Sequence, residues 1–166
     1  MRYKSIPNPK LARTLANGDY KIAAAVEDII DNSRDAGATI VDAILTGKGE
    51  KQPLDSITIV DNGSGMSRST LLEAIRYGAD TEHTPNDVGN YGIGLKTAGT
   101  SQGDQITIFT KTKRGKVWAG VLDLDVIASE GWVVDVREAI AEEEKLFKSY
   151  LRKSTGQAKH GTMVVI

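Results

Sequence analysis

Acidic and amide side chains form a stripe along one predicted helix of this 166-residue chain. Asp28, Asn32 and Asp35 are spaced at i, i+4 and i+7, which places them on one helical face, and Asp31 lies beside them. Such a group can bind Mg²⁺, activate a water molecule or bind a polar ligand. The alternative is the solvated face of an amphipathic helix, and within this segment alone that interpretation is favoured.

A second polar group, Asp61-Asn62-Gly63-Ser64-Gly65-Met66, follows a predicted strand directly. A carboxylate at a strand end beside two glycines can accept a hydrogen bond from an exocyclic amine while the backbone closes over a flat ring. A plain tight turn is the alternative, because Asp-Asn-Gly is also favourable turn chemistry.

The third group is a glycine-rich segment, residues 87–99, that runs into a predicted helix start. Free backbone N–H groups and the positive end of a helix dipole suit a phosphate, and Lys96 and Thr97 add a charge and a hydroxyl. The segment is not a Walker loop, because Leu95 separates the last glycine from Lys96. It is not a dinucleotide fingerprint either, because the sixth position from Gly92 is Thr97.

The elements that must position these groups follow from capping residues, apolar periodicity and turn signals. The predicted elements are a helix over Pro9–Ala16, a helix from an Asp19 cap to Ala36 ended by Gly37, strands Thr39–Leu45 and Ser56–Val60, a helix to Tyr77 with a Thr70/Glu73 capping box, a mobile lid over Gly78–Tyr91, a short helix Gly92–Gly99, a hairpin of Gln105–Thr112 and Lys116–Leu122, a strand Trp132–Val136, a helix Glu138–Lys153 and a strand Gly161–Ile166. Strands joined mostly by hairpins, with inserted helices, indicate an α+β two-layer sandwich.

Composition excludes several classes of site. The chain has no cysteine, and its two histidines, His83 and His160, are interpreted as loop residues without a catalytic role. The formal net charge of −1 argues against a domain that mainly coats nucleic acid, and no apolar run approaches a membrane span. We expect a cytoplasmic protein without membrane contact, forming one domain over residues 1–166. Because the final strand has no terminator after it, an N-terminal fragment of something longer stays an open interpretation.

The order of the three groups, followed by Gly161-Thr162 before the last strand, resembles the GHKL ATPases: gyrase B subunits, large heat-shock chaperones, histidine kinases and MutL-type proteins. The resemblance extends from about Ile22 to Ile166. Residues 91–111, YGIGLKTAGTSQGDQITIFTK, are most similar to the microrchidia (MORC) ATPases. The family resemblance implies a Bergerat-type ATP-binding fold, with a mixed sheet and helices on one face.

The same resemblance implies roles for individual residues. Asp61 would accept the adenine amino group, and Thr162 would bind it through a shared water. Asn32 would hold Mg²⁺, which bridges the phosphates. The other expected nucleotide-binding residues are Asp35, Ala36, Gly63, Gly65, Met66, Tyr91, Gly92, Ile93, Gly94, Leu95, Lys96 and Thr97.

The catalytic residues implied by the resemblance include one departure from the family pattern. The general base is usually a glutamate four positions before the Mg²⁺ asparagine, where this chain has Asp28. Asp is one methylene shorter, and Glu27 is rotated by about 100° around the helix, so neither matches the usual geometry. Lys96 would stabilise developing charge on the phosphates, with a solvated side chain as the alternative.

The leading hypothesis for function is an ATP- and Mg²⁺-binding domain that hydrolyses ATP slowly. Nucleotide would order the lid and drive formation of a homodimer or engagement of a partner. The alternative is a non-hydrolysing, nucleotide-gated binding module. Histidine-kinase phosphotransfer is disfavoured because no histidine precedes this domain in a dimerisation helix. For nucleic-acid binding the sequence offers only a modest basic helix at Lys145, Lys148, Arg152 and Lys153, and the neighbouring Glu142–Glu144 indicate a solvated, mixed-charge surface instead.

Overall fold

A six-stranded sheet forms the centre of the structure, and it positions every described helix. The computed structural model of the protein describes residues 7–16, 21–48, 54–76 and 94–166. Its elements are α1 (Leu11–Ala16), α2 (Ile22–Asp35), β1 (Val41–Gly47), β2 (Leu54–Asp61), α3 (Arg68–Ile75), α4 (Gly94–Gln102), β3 (Gln105–Lys111), β4 (Val117–Asp123), α5 (Leu124–Glu130), β5 (Asp135–Glu138), α6 (Ala141–Thr155) and β6 (Gly161–Val165). The predicted lid Gly78–Tyr91 lies outside the described residues.

The strand order is β1-β2-β6-β3-β4-β5, and every described neighbouring pair is antiparallel. The α+β class is confirmed, but the expected mixed sheet is wrong. β2 and β3 do run in the same direction. The last strand, β6, lies between them and runs antiparallel to both, so no parallel pair forms.

Helices cover both faces of the sheet, which corrects the prediction of helices on one face. On one face α2 and α3 pack against Ile57 and Ile59 of β2 and against β3. On the other face Phe147 of α6 is fully buried with Val60 and Met163. The reason is that apolar side chains near the end of β2 point to both faces of the sheet, Ile57 and Ile59 to one face and Val60 to the other. Helices therefore pack on both faces.

Several helix boundaries differ from the predictions. α2 begins at Ile22 with Lys21 at its N-cap and no side-chain cap hydrogen bond, while Asp19 lies outside the described residues. α3 begins three positions earlier than a Thr70 cap would allow, because the Ser67 hydroxyl accepts the Thr70 N–H at 3.2 Å. The predicted stop of α2 at Gly37 is confirmed by its φ of 74°.

The segment after β4 contains a helix that the sequence interpretation missed. Asp123 ends β4 and caps α5, since its Oδ1 accepts the N–H groups of Asp125 and Val126. α5 also delays the next strand, β5, which begins at Asp135 rather than at Trp132. Ala12 of α1 is buried in a small cluster with residues of β4 and α5, so the N-terminal helix is docked on this part of the fold. No helix among the described residues is long and apolar enough to cross a membrane.

Candidate functional site

A buried carboxylate at the end of β2 is the centre of the site. Asp61 is 5% exposed, and its Oδ1 accepts the N–H groups of Gly63 at 2.8 Å and Thr162 at 3.2 Å. Its Oδ2 accepts the Ser33 hydroxyl at 3.1 Å. A carboxylate has about four acceptor positions, so among the described residues one position on Oδ2 stays available. Burial raises the pKa of Asp61, and these three hydrogen bonds oppose the shift.

The turn after Asp61 is held against neighbouring strands by backbone contacts that require glycine. Gly65 has a φ of 65°, and a Cβ there would overlap the carbonyl oxygen of Lys111. Gly63 packs against Ala36 at the end of α2, where its Cβ would come within 3.1 Å of the Ala36 Cβ. The turn is therefore a close-packed segment between α2 and β3.

Side chains lock the same turn from other directions. Asn62 Oδ1 accepts the N–H groups of Thr39 and Ile40, both at 2.9 Å, so Asn62 fixes the loop after α2. His160 Nδ1 lies 2.6 Å from the Gly63 carbonyl oxygen, so this histidine holds the turn. The Met66 N–H donates to the hydroxyl of Thr110 at 2.8 Å.

A cavity of about 240 Å³ opens between α2 and this turn. It brings together seven of the predicted site residues, which lie far apart in sequence: Asn32, Asp35, Ala36, Asp61, Gly65, Met66 and Thr162. Its wall also includes Ser33 and Thr70, which the sequence interpretation missed. Ser33 follows Asn32 directly, but it falls outside the i, i+4 stripe on which that interpretation relied. The cavity combines apolar walls with a buried carboxylate, as small-molecule sites do.

The predicted catalytic acids lie beside this cavity rather than in its wall. Asn32 is half-buried and lines the cavity, and Asp28 is half-buried one helical turn before it. Glu27 is exposed. Neither Asp28 nor Glu27 is among the described residues that form the cavity wall. Because Asp28 lies four residues before Asn32, Asp28 rather than Glu27 is on the Asn32 face of α2.

Lys96, the cationic side chain of the third group, is buried beside the end of α3. Its side chain is 2% exposed, and its ammonium group donates to the carbonyl oxygen of Arg76 at the end of α3. Burial lowers the pKa of Lys96 to about 8, although the charge of Glu73 opposes the shift. The alternative of a solvated lysine is wrong. Lys96 is not part of the described cavity wall, and its role towards the phosphates stays a prediction.

The rest of the predicted phosphate segment is described only in part. Tyr91, Gly92 and Ile93 lie outside the described residues. α4 begins at Gly94, so the prediction that the glycine-rich segment opens a helix is confirmed, and Leu95 and Thr97 fall in the first turn of that helix. Contacts of these residues with phosphate stay a prediction.

The site thus combines an acid/amide helix, a buried carboxylate after β2 and a final strand that begins with Gly-Thr. A known protein family matches most of the chain that carries these features. The family model described as histidine kinase-, DNA gyrase B- and HSP90-like ATPase matches residues 20–162. The chain belongs to this ATPase family. The GHKL resemblance is thereby confirmed, and with it the expected type of ATP-binding fold.

Proteins similar to this chain include two of the groups named in the sequence analysis, the MORC ATPases and the MutL proteins. ATPase MORC2B from Mus musculus is 34% identical over 89 residues, covering 52% of this chain and 9% of that protein. ATPase MORC2 from Homo sapiens is 32% identical over 89 residues, with the same coverage of 52% and 9%. DNA mismatch repair protein MutL from Shewanella frigidimarina is 32% identical over 118 residues, covering 66% of this chain and 18% of that protein. The chain thus spans less than one fifth of each of these relatives.

Proposed function

We propose that residues 1–166 form one GHKL domain that binds ATP with Mg²⁺ and hydrolyses it slowly. The observation that carries the proposal is the remaining acceptor position on Asp61 Oδ2, at the wall of the cavity. An ionised carboxylate accepts hydrogen bonds and cannot donate them. A ring that carries an exocyclic amine, such as adenine, supplies the donor that this position needs.

The shape of the cavity supports a flat base as the ligand. Apolar side chains of Ile29, Met66 and Val164 line it, so they can cover the faces of a ring while Asp61 meets its edge. Its volume of about 240 Å³ lies just below the range of about 300–1,000 Å³ that whole ligands occupy. We infer that the base enters the cavity and that the triphosphate continues outside it.

The residues present fit a Mg²⁺ ion at the Asn32 end. Mg²⁺ prefers oxygen ligands, keeps several waters and is usually bound by only one or two protein groups together with phosphates. Asn32 supplies one such oxygen at the cavity wall, and the described residues contain no cluster of three acids or histidines that would hold an ion alone. Bound Mg²⁺ would neutralise phosphate charge, and Asn32 is the residue we assign to it.

Hydrolysis is assigned to Asp28 as the general base that takes a proton from water. Its position one turn before Asn32 supports this role better than the exposed Glu27 does. The shorter Asp side chain and its absence from the described cavity wall favour a slow reaction. They also support the second candidate function, a nucleotide-gated binding module without effective hydrolysis.

We further propose that bound ATP orders the segment Gly78–Tyr91 as a lid and promotes homodimer formation, as the family resemblance implies. A nucleic-acid surface on α6 is not part of the proposal. Lys148 lies 2.6 Å from Glu144, which supports the alternative of a mixed-charge, solvated helix face.

Calorimetric titration with ATP and Mg²⁺ tests the binding step, with GTP as the matched ligand whose ring carries an oxygen at the position of the adenine amine. We expect saturable binding of ATP that is stronger than that of GTP. No heat and no change in melting temperature with ATP would remove the proposed function. Phosphate release then separates the ATPase from the binding module, and light scattering with a non-hydrolysable ATP analogue tests dimer formation.

A further inference from the structure

A buried threonine behind the cavity is not explained by the proposed function. Thr110, on β3, has no exposed surface and does not line the described cavity. Its hydroxyl oxygen accepts the Met66 N–H at 2.8 Å and lies 3.2 Å from the Gly161 carbonyl oxygen. It also lies 3.1 Å from the Thr162 hydroxyl oxygen, which does line the cavity.

Counting donors and acceptors around Thr110 fixes the direction of the Thr162 hydroxyl. A threonine hydroxyl has one hydrogen and can accept two hydrogen bonds. The Gly161 carbonyl can only accept, so the Thr110 hydrogen satisfies it while Met66 N–H and the Thr162 hydroxyl donate to Thr110. If Thr110 donated to Thr162 instead, its contact with Gly161 would be lost. The first arrangement satisfies all three contacts at once, as buried polar groups require.

In this arrangement the Thr162 hydrogen points away from the cavity, towards Thr110. Thr162 then presents only acceptor lone pairs to a ligand. Asp61 beside it is an acceptor too, since its carboxylate has no hydrogen when ionised. The base end of the cavity therefore offers acceptors from both residues. A water that donated one hydrogen to each of them would have only its lone pairs left for the ligand.

We propose that Thr110 is a positioning residue that makes this end of the cavity selective for an amine. Two N–H donors on one exocyclic nitrogen match the two acceptors, whereas a ring oxygen at that place would face acceptors and be rejected. The inference rests on the proposed function and assigns to Thr110 the orientation of the Thr162 hydroxyl at that site. Thr110 acts through Thr162 and does not itself contact the ligand.

The test compares ligands that differ in one group. Purine riboside triphosphate lacks only the amine of ATP, so the ratio of the two dissociation constants measures recognition of that amine. We would measure this ratio by calorimetry with Mg²⁺ for the wild type, Thr110→Val and Thr110→Ser. Thr107→Val is the control, because Thr107 lies on the same strand with its side chain on the opposite face.

We expect Thr110→Val to reduce the selectivity ratio by about tenfold, because valine cannot accept the Thr162 hydrogen, which can then turn into the cavity. Thr110→Ser keeps the hydroxyl and should stay within about threefold of the wild type, as should Thr107→Val. A merely structural role of Thr110 would weaken both ligands equally and leave the ratio unchanged. An unchanged ratio in folded Thr110→Val, or an equal loss in Thr110→Ser, overturns the inference.

A second measurement needs no substitution and covers the case in which Thr110→Val does not fold. Inosine triphosphate carries an oxygen where ATP has the amine, so acceptors alone should bind it more weakly than purine riboside triphosphate. Equal or tighter binding of inosine triphosphate to the wild type would overturn the inference. Wild-type protein that binds none of the three nucleotides would instead refute the proposed function itself, so the two failures are distinguishable.

Discussion

Replacing Asp61 with asparagine should remove nucleotide recognition while leaving the fold intact. Asparagine keeps one acceptor oxygen, which can take the N–H groups of Gly63 and Thr162 as Oδ1 does now. Its amide nitrogen can donate to the Ser33 hydroxyl, whose hydrogen then turns from residue 61 to the Ile29 carbonyl oxygen, which lies 3.1 Å away. Every described hydrogen bond of Asp61 therefore has an equivalent in Asp61→Asn.

The expected loss in ATP affinity follows from the remaining acceptor position on Asp61 Oδ2, which has no equivalent in Asp61→Asn. In the wild type the remaining acceptor on Oδ2 faces the ligand, whereas in the variant an N–H group faces the ligand amine. A hydrogen bond to a charged group contributes about 1.5–3 kcal/mol, and each 1.4 kcal/mol corresponds to a factor of about ten in affinity. We expect the dissociation constant for ATP to rise by about 10- to 150-fold.

The thermal stability of Asp61→Asn should not fall at pH 7, although its affinity for ATP should. Because burial raises the pKa of Asp61 in the folded state, the stability linked to its protonated form is complete below the unfolded-state pKa. That stability is lost as the pH rises through the folded-state pKa. At pH 7 the wild type carries the cost of a buried charge that asparagine avoids. The variant should therefore melt no lower than the wild type at pH 7, and its relative stability should fall as the pH approaches about 4.

Calorimetry with ATP and Mg²⁺, together with thermal unfolding at two pH values, measures both effects on the same samples. Asp55→Asn is the matched control, since Asp55 is an exposed carboxylate on the same strand. Asp55→Asn should leave ATP affinity within about twofold of the wild type. Folded Asp61→Asn with ATP affinity within about threefold of the wild type would falsify the assignment of the amine to Asp61.

Three further substitutions test other parts of the site. Asp28→Asn should lower phosphate release by at least about 100-fold with little change in ATP affinity; release that persists in a steady-state assay would exclude Asp28 as the base. Gly65→Ala should cost more than the roughly 1–3 kcal/mol of an unfavourable backbone conformation, because its Cβ would also meet a carbonyl oxygen. Gly37→Ala is the control, because φ is 74° there but an added Cβ would lie within 4 Å of no atom of the described residues beyond its chain neighbours. Urea unfolding of both variants isolates the effect of the overlap, and equal costs would contradict it. Lys96→Met removes a buried ammonium whose pKa is lowered to about 8, so it should stabilise the protein at pH 7 and lose that advantage between pH 8 and 10.5; a gap in melting temperature that does not change with pH would refute this.

Local sequence patterns were sufficient for most of the strands, whereas most of the predicted cavity residues were implied by the family resemblance. The hairpin of β3 and β4 and the final strand lie where alternation and turn residues predict them. The spacing of α2 places Asn32 and Asp35 on the wall, and the glycines beside Asp61 mark its turn. The strands and the turn depend on patterns within short segments, which is why one sequence reveals them.

Features that depend on distant contacts could not be predicted in the same way. Thr110 looks like an ordinary strand threonine until β6 is placed next to β3, which brings Thr162 opposite to it. The burial of Lys96 and its bond to the Arg76 carbonyl oxygen become visible only when α4 is placed beside the end of α3. The insertion of β6 between β2 and β3 also decides that the sheet is antiparallel. Strand order is a tertiary property that alternation does not encode.

The two ends of the site differ in how firmly the described residues are fixed, and this bears on the function. At the base end, Asp61 and the turn after it are held by hydrogen bonds from α2, β3 and β6, so recognition needs little rearrangement. Of the two residues that we assign to the phosphates and to hydrolysis, Lys96 is bonded to Arg76 and Asp28 stands beside the cavity. Binding of the base can therefore precede any movement of these two side chains. If Lys96 has to leave Arg76 to reach a phosphate, the cost of that movement slows hydrolysis without weakening recognition of the base.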